Sequence, residues 1–310
     1  MIACLFPGQG SQSVGMGRAL VEAFPEAHAI FDEADAALGR SISTLCFDGP
    51  ESQLTLTEHT QPAILTASVA AWRVLAARGL MPAYAAGHSL GEYSAHVAAG
   101  TLAFTDAVRV VAHRGQYMQE AVPVGSGAMA AVLGLEAAEV EAACAAAAQG
   151  EVVSPANFNA PGQVVIAGSV AAVARAGVEA RARGARRVVP LNVNAPFHCA
   201  LMAPAQARLE PELRALGVQA PRFPVVANID ALPRTDGASA IDALVAQVSG
   251  VVRWEQVIGY LVSAGVRAYV EVGPGTVLAG LVRKIDREAQ VVSFGAPEQL
   301  AAVEALFAAS

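Results

Sequence analysis

Apolar positions along this chain follow two rhythms. Ile2–Phe6 and Ala83–Ala86 are short, uninterrupted apolar runs, as expected of strands buried on both faces. Pro25–Leu38, Pro62–Arg78, Gly91–Ala99 and Thr105–Glu120 are longer and read as helices. Strands alternating with helices predict a parallel sheet with helices on its faces. Beyond the glycine-rich stretch 123–127 the rhythm changes. Strand Ala128–Leu135, helix Ala137–Ala148 and strand Val152–Asn157 are followed by strand Gln163–Gly168, helix Ala171–Arg183 and strand Arg187–Val193. That βαβ-βαβ order is the order of a ferredoxin-like unit. It ends at Asn194-Ala195-Pro196, and the larger pattern resumes with a helix after His198, strand Ala268–Val272 and helix Thr276–Ile285. The expected organisation is an α/β core over residues 1–125 and 194–310, carrying a smaller subdomain at 126–193.

Composition narrows the class. The 310 residues are 54% hydrophobic and 15% charged, enough to bury a large core. No apolar run reaches the ~18 residues that span a membrane. The N-terminus has no basic region and meets Pro7-Gly8 too early for a signal peptide, so a cytoplasmic location is expected. Cys4, Cys46, Cys144 and Cys199 are scattered without metal-type spacing, which favours reduced thiols over disulfides or a zinc site. A net charge of -7 argues against nucleic acid as the partner.

The chemistry concentrates at Gly87-His88-Ser89-Leu90-Gly91. A Gly-x-Ser-x-Gly turn between strand and helix is the nucleophile-elbow pattern. The turn is too tight for side chains two before or two after the serine, hence Gly87 and Gly91. It presents the hydroxyl at the sheet edge, where the helix beginning at Leu90 directs N–H groups toward it. The plain alternative is a serine that only caps the helix. Among six histidines, His198 stands out as the base. It follows a strand end and a proline-constrained loop, where an α/β edge gathers its ligand-binding loops. A lone loop histidine is more often structural.

Arg114 gives a firmer physical argument. Helical spacing puts it on one stripe with Ala107, Val111 and Met118, while Arg109, His113, Gln116 and Glu120 share the solvated side. A guanidinium centred on an apolar face needs an anion. An internal carboxylate, a snorkelling stem or a bound substrate carboxylate would each serve. The glycine-rich start FPGQGSQSVGMG lacks the Lys-Ser/Thr of a phosphate loop, and position 13 is Ser where a dinucleotide fingerprint requires Gly. Its free backbone N–H groups suit an oxyanion instead, with Gln9 at the tip.

Ordered blocks spread over nearly the whole chain then carry a resemblance. They are FPGQGSQ (6–12), TQPAILTASVA (60–70), GHSLGEYSA (87–95), RGQYMQEAVP (114–123), GAMAAVLGL (127–135), NFNAPGQVVIAG (157–168), FHCALM (197–202) and EVGPG (271–275). Together they resemble the malonyl-CoA:acyl carrier protein transacylases of fatty-acid synthesis. The resemblance implies an α/β-hydrolase-like core with a ferredoxin-like insertion. It implies Ser89 as acylated nucleophile, His198 as general base and acid, and Gln9 and Leu90 as oxyanion-hole donors. Arg114 would bind the malonyl carboxylate, with His88, Met118, Phe197, Asn157 and Asn159 as further substrate-binding residues. In place of an acidic third triad member, a backbone carbonyl near Val251-Val252-Arg253-Trp254 would orient the histidine. Arg253 stands where some members have Gln. Phe197, bulkier than the Ser of some members, would narrow the pocket against α-branched acyl groups.

The implied partners are malonyl-CoA and acyl carrier protein, with no metal or redox cofactor, and a monomer is expected. A discrete acyltransferase of a polyketide synthase or malonate decarboxylase would use the same chemistry. A serine thioesterase or hydrolase shares the elbow, although Arg114 and the missing acidic partner count against it. A carrier-binding module without activity is disfavoured because every chemical position is filled. Carrier proteins are acidic, so a net-negative chain needs a local basic patch. RARGARR, with Arg181, Arg183, Arg186 and Arg187, is the densest candidate, and Arg186 and Arg187 are the expected docking pair. A solvated helix end, where cations suit the dipole, is the alternative.

Overall fold

The computed structural model describes residues 1–193 and 195–309. Among the described residues ten strands form two sheets. The first contains β1 (Ile2–Phe6), β2 (Tyr84–Gly87), β7 (Val225–Val226), β8 (Pro233–Arg234), β9 (Ala268–Val272) and β10 (Gln290–Phe294). Its order is β10-β9-β1-β2-β7-β8, parallel except for the β7–β8 pair at one edge. β1 and β9 are buried along their whole length, which explains runs that are apolar without alternation.

The second sheet holds β3 (Gly127–Leu133), β4 (Val153–Ala160), β5 (Gln163–Ser169) and β6 (Arg187–Pro190), in the order β4-β5-β3-β6, all antiparallel. Helices Ala137–Ala148 and Val170–Ala182 pack on it around a separate apolar cluster that includes Val132, Val140, Ile166 and Ala176. This is the ferredoxin-like order that the strand and helix pattern predicts. β6 is shorter than expected and stops at Pro190 instead of continuing to Val193. Asn194, where the sequence places the return to the larger unit, lies outside the described residues.

One helix begins a turn earlier than its sequence suggests. It runs Thr57–Ala77, so Pro62 sits inside it instead of opening it. Proline lacks the N–H that would bond the carbonyl of Glu58, and the Arg40 guanidinium donates to that carbonyl at 3.4 Å. The helix is buried on nearly every side, with Trp72 wedged edge-on against Phe6 and Phe223. Among the described residues, no helix is long and apolar enough to cross a membrane. All four cysteines are free and buried.

Parallel pairing of β1 with β2 aligns Phe6 with Gly87, so the loops bearing Gln9 and Ser89 leave the same edge of the sheet. β7 lies beside β2 and delivers Asn228 to that edge as well.

Candidate active site

Ser89 joins β2 to helix Leu90–Ala99 with φ 52° and ψ -108°, a conformation that non-glycine residues rarely adopt. The flanking glycines make the turn possible. A Cβ on Gly87 would lie 1.9 Å from the carbonyl carbon and oxygen of Gly91, and one on Gly91 would lie 2.0 Å from the oxygen of Phe6. The serine's backbone is fixed from outside the elbow. Its N–H donates to Asn228 Oδ1 at 2.7 Å, and Asn228 Nδ2 donates back to the Gly87 carbonyl at 2.8 Å.

Ser89 Oγ lies 2.7 Å from His198 Nε2. The histidine's other nitrogen, Nδ1, lies 3.0 Å from the Gln247 carbonyl and 3.1 Å from that of Gly250. A donating Nδ1–H leaves Nε2 as the acceptor facing the serine. The two carbonyls facing Nδ1 thus come from positions four and one before Val251 of the Val251–Trp254 segment. Arg253 turns away from the pair: its Nε donates to the Ile229 carbonyl at 3.0 Å and its N–H to that of Asn228 at 3.0 Å. His198 is buried, and burial pushes its pKa down to about 3, with the nearby Arg114 cation adding to the shift. The resting imidazole is therefore neutral, as a base must be.

Arg114 is 1% exposed. It donates to Gln61 Oε1 at 2.7 Å, to Gln247 Oε1 at 2.9 Å and to Ser89 Oγ at 3.1 Å, and it lies 5.4 Å from the Tyr93 ring centroid. All three acceptors are neutral. Among the described residues Arg114 forms no ion pair, so the internal carboxylate considered from sequence is not in contact with it. Burial lowers its pKa, which the neighbouring Tyr93 and Glu92 partly offset.

These groups open onto a cavity of about 120 Å³. Gln9, Leu90, Ser89, His198 and Arg114 line it together with His88, Met118, Asn157 and Phe197. Leu90 is the first residue of its helix, so its N–H has no preceding turn to bond. Asn159 is not in the lining; it accepts from His88 Nε2 at 2.8 Å and ties β4 to the elbow. Arg186 and Arg187 lie away from the cavity, exposed on the turn before β6 and on its first residue, after a helix that ends at Ala182. Of the same cluster, Arg183 pairs with Glu139 and Arg181 bonds the Val188 carbonyl.

Sequence reasoning missed Asn228, Gln247 and Glu92. Gln247 lies on the buried side of helix Gly237–Gln247 with Ala240 and Leu244, the kind of misplaced polar residue that singled out Arg114. Glu92 sits in a helix buried at every position.

Fold and site together define an α/β protein built around a serine–histidine pair on a nucleophile elbow. The acyl transferase domain family matches residues 4–301. The malonyl CoA-acyl carrier protein transacylase of Salmonella typhimurium is 52% identical over 284 residues, 91% of this chain and 92% of that protein. An acyl carrier protein S-malonyltransferase from Vibrio cholerae, solved by crystallography, superposes with a TM-score of 0.96 at 49% identity over 97% of this chain and 99% of its own. A malonyl-transacylase in complex with its type II PKS acyl-carrier protein superposes at 0.95, with 45% identity over 97% and 98%. The chain belongs to the acyl transferase domain family and, within it, to the malonyl CoA-acyl carrier protein transacylases.

Proposed function

We propose that this protein moves a malonyl group from malonyl-CoA to the pantetheine thiol of acyl carrier protein in two half-reactions through Ser89, supplying fatty-acid synthesis in the cytoplasm. The observation that carries this reading is the shared contact of Ser89 Oγ with a neutral base and a buried cation. His198 Nε2 takes the hydroxyl proton as Oγ attacks the thioester carbonyl. The N–H groups of Gln9 and Leu90 receive the oxyanion. The protonated His198 then delivers its proton to the departing CoA sulfur. In the second half-reaction the pantetheine thiol gives a proton to His198 and attacks the malonyl-serine ester; the acyl–Oγ bond breaks, and His198 returns the proton to the departing Ser89 Oγ. Arg114 binds the malonyl carboxylate throughout, and Met118, Asn157, His88 and Phe197 shape the acyl cavity, Phe197 narrowing it against α-branched groups. Asn159 would act on substrate only through His88.

The catalytic core comprises residues 1–125 and 194–310, with 126–193 as the small subdomain. Arg186 and Arg187 would dock the acidic carrier, from which β6 leads toward His198. Lys284 adds a third cation beside Arg186 across a shallow surface hollow. Likeness to a transacylase paired with a type II PKS carrier supports a second reading, in which the acceptor is a polyketide carrier. Incubating the malonylated protein with fatty-acid and polyketide carriers separates the two. The first reading predicts faster transfer to the fatty-acid carrier and little malonate release without any carrier. Preference for the polyketide carrier supports the second. Malonate release indifferent to both would indicate a hydrolase.

A further inference from the structure

Asn228 and Gln247 between them hold Ser89, His198 and Arg114, yet they belong to separate segments. Asn228 fixes the backbone of Ser89. Gln247 gives its carbonyl to His198, its Oε1 to Arg114 and its Nε2 to the carbonyl of Ser89 at 2.9 Å. Besides a long direct contact of 3.5 Å between Gln247 Nε2 and Asn228 Oδ1, one carboxylate oxygen bonds both segments. Glu92 Oε2 accepts the Asn228 N–H at 2.9 Å and Gln247 Nε2 at 2.8 Å. Glu92 is wholly buried one turn into the helix that Ser89 starts, and among the described residues its other oxygen has no hydrogen-bond partner.

We propose that Glu92 is a positioning residue whose Oε2 sets the distance between the nucleophile on one side and the base and arginine on the other. The two bonds also orient the Gln247 amide. Its Nε2 end meets the oxygens of Glu92, Ser89 and Asn228, and its Oε1 end meets the donor-only guanidinium, so the amide has one satisfactory orientation. The placement of the oxygen matters here more than its charge. Burial raises the Glu92 carboxyl to about 7 against the pull of the same two hydrogen bonds, so near neutrality a large share of it carries a proton. Oε2 can accept in either state.

The inference rests on the roles proposed for Ser89, His198 and Arg114, and the test separates its failure from theirs. The rate and the amplitude of Ser89 malonylation are measured by rapid-quench intact mass in wild type, Glu92→Gln and Glu92→Asp. Absence of an adduct in wild type would refute the proposed site roles rather than the role of Glu92. Gln keeps an oxygen at the Oε2 position, and its acylation rate is expected to stay within about threefold of wild type. Asp keeps the carboxyl group but retracts the oxygen by one methylene, and a misplacement of that size slows chemistry by on the order of tenfold to a hundredfold. A structural role alone would lower the fraction of chains that acylate, not the rate at which folded chains do. Equal rates in the two variants, the reverse order, or a loss of amplitude at normal rate would overturn the proposal.

Discussion

Arg114 Nη2 donates to Ser89 Oγ at 3.1 Å, placing a buried cation on the same oxygen that faces His198 at 2.7 Å. The guanidinium's remaining bonds go to amide oxygens of Gln61 and Gln247. A desolvated cation held only by neutral acceptors is poised for an anion that arrives with the substrate.

Removing it should therefore change selectivity. In Arg114→Ala, malonyl transfer should fall about a hundredfold, since charge-assisted bonds contribute ~2–3 kcal/mol. Acetyl transfer, which uses no carboxylate contact, should persist or improve. Steady-state rates with both thioesters decide it; an equal loss for both would make Arg114 structural.

The elbow leaves no space for a methyl group. Gly87→Ala drives a Cβ into the backbone of Gly91, which cannot rotate aside, and overpacking of this kind costs ~1–3 kcal/mol or more. Thermal unfolding should show a lowered Tm, and acylation should be lost with it. A variant with unchanged Tm and rate would mean that the elbow can relax.

The depressed His198 pKa makes a prediction about pH. Burial first, and then Arg114, hold it near 3 against an ordinary 6.5, so the folded imidazole stays neutral where a free one protonates. Between these values the unfolded chain binds the proton more readily, so this group's contribution to stability is lost as pH falls from about 6.5 toward about 3. Acylation by malonyl-CoA, followed as kcat/KM from about pH 8 to about pH 5, should show no protonation limb at the ordinary histidine value. A limb there that disappears in His198→Ala would contradict this.

Carrier recognition should be separable from acylation. Arg186→Glu combined with Arg187→Glu should raise the KM for carrier protein and flatten its salt dependence. Acylation of Ser89 by malonyl-CoA should change little, because both side chains lie away from the cavity. Unchanged carrier kinetics would place the docking surface elsewhere.

What the sequence revealed follows from how far each signal extends. β1, β9 and the helices Pro25–Leu38 and Ala137–Ala148 are legible to the residue, because burial writes local periodicity. β7 and β8 are two residues long and write none. The elbow is legible because its Gly-x-Ser-x-Gly pattern is written within five residues, although the backbone that excludes a Cβ at Gly91 is the distant Phe6 carbonyl. Asn228 and Gln247 meet Ser89 across 139 and 158 positions, and no local spacing encodes such a contact. Arg114 and Gln247 show the one remedy. A polar residue on an apolar helical face announces a buried partner, although it does not say which.

The central claim is that Ser89 carries the malonyl group with His198 as its base. Intact-mass analysis after adding malonyl-CoA without acceptor tests it most directly. The predicted result is a single malonyl adduct that maps to Ser89, forms far more slowly in His198→Ala and disappears when holo carrier protein is added. An adduct on Cys199, or no adduct under single-turnover conditions, would contradict it.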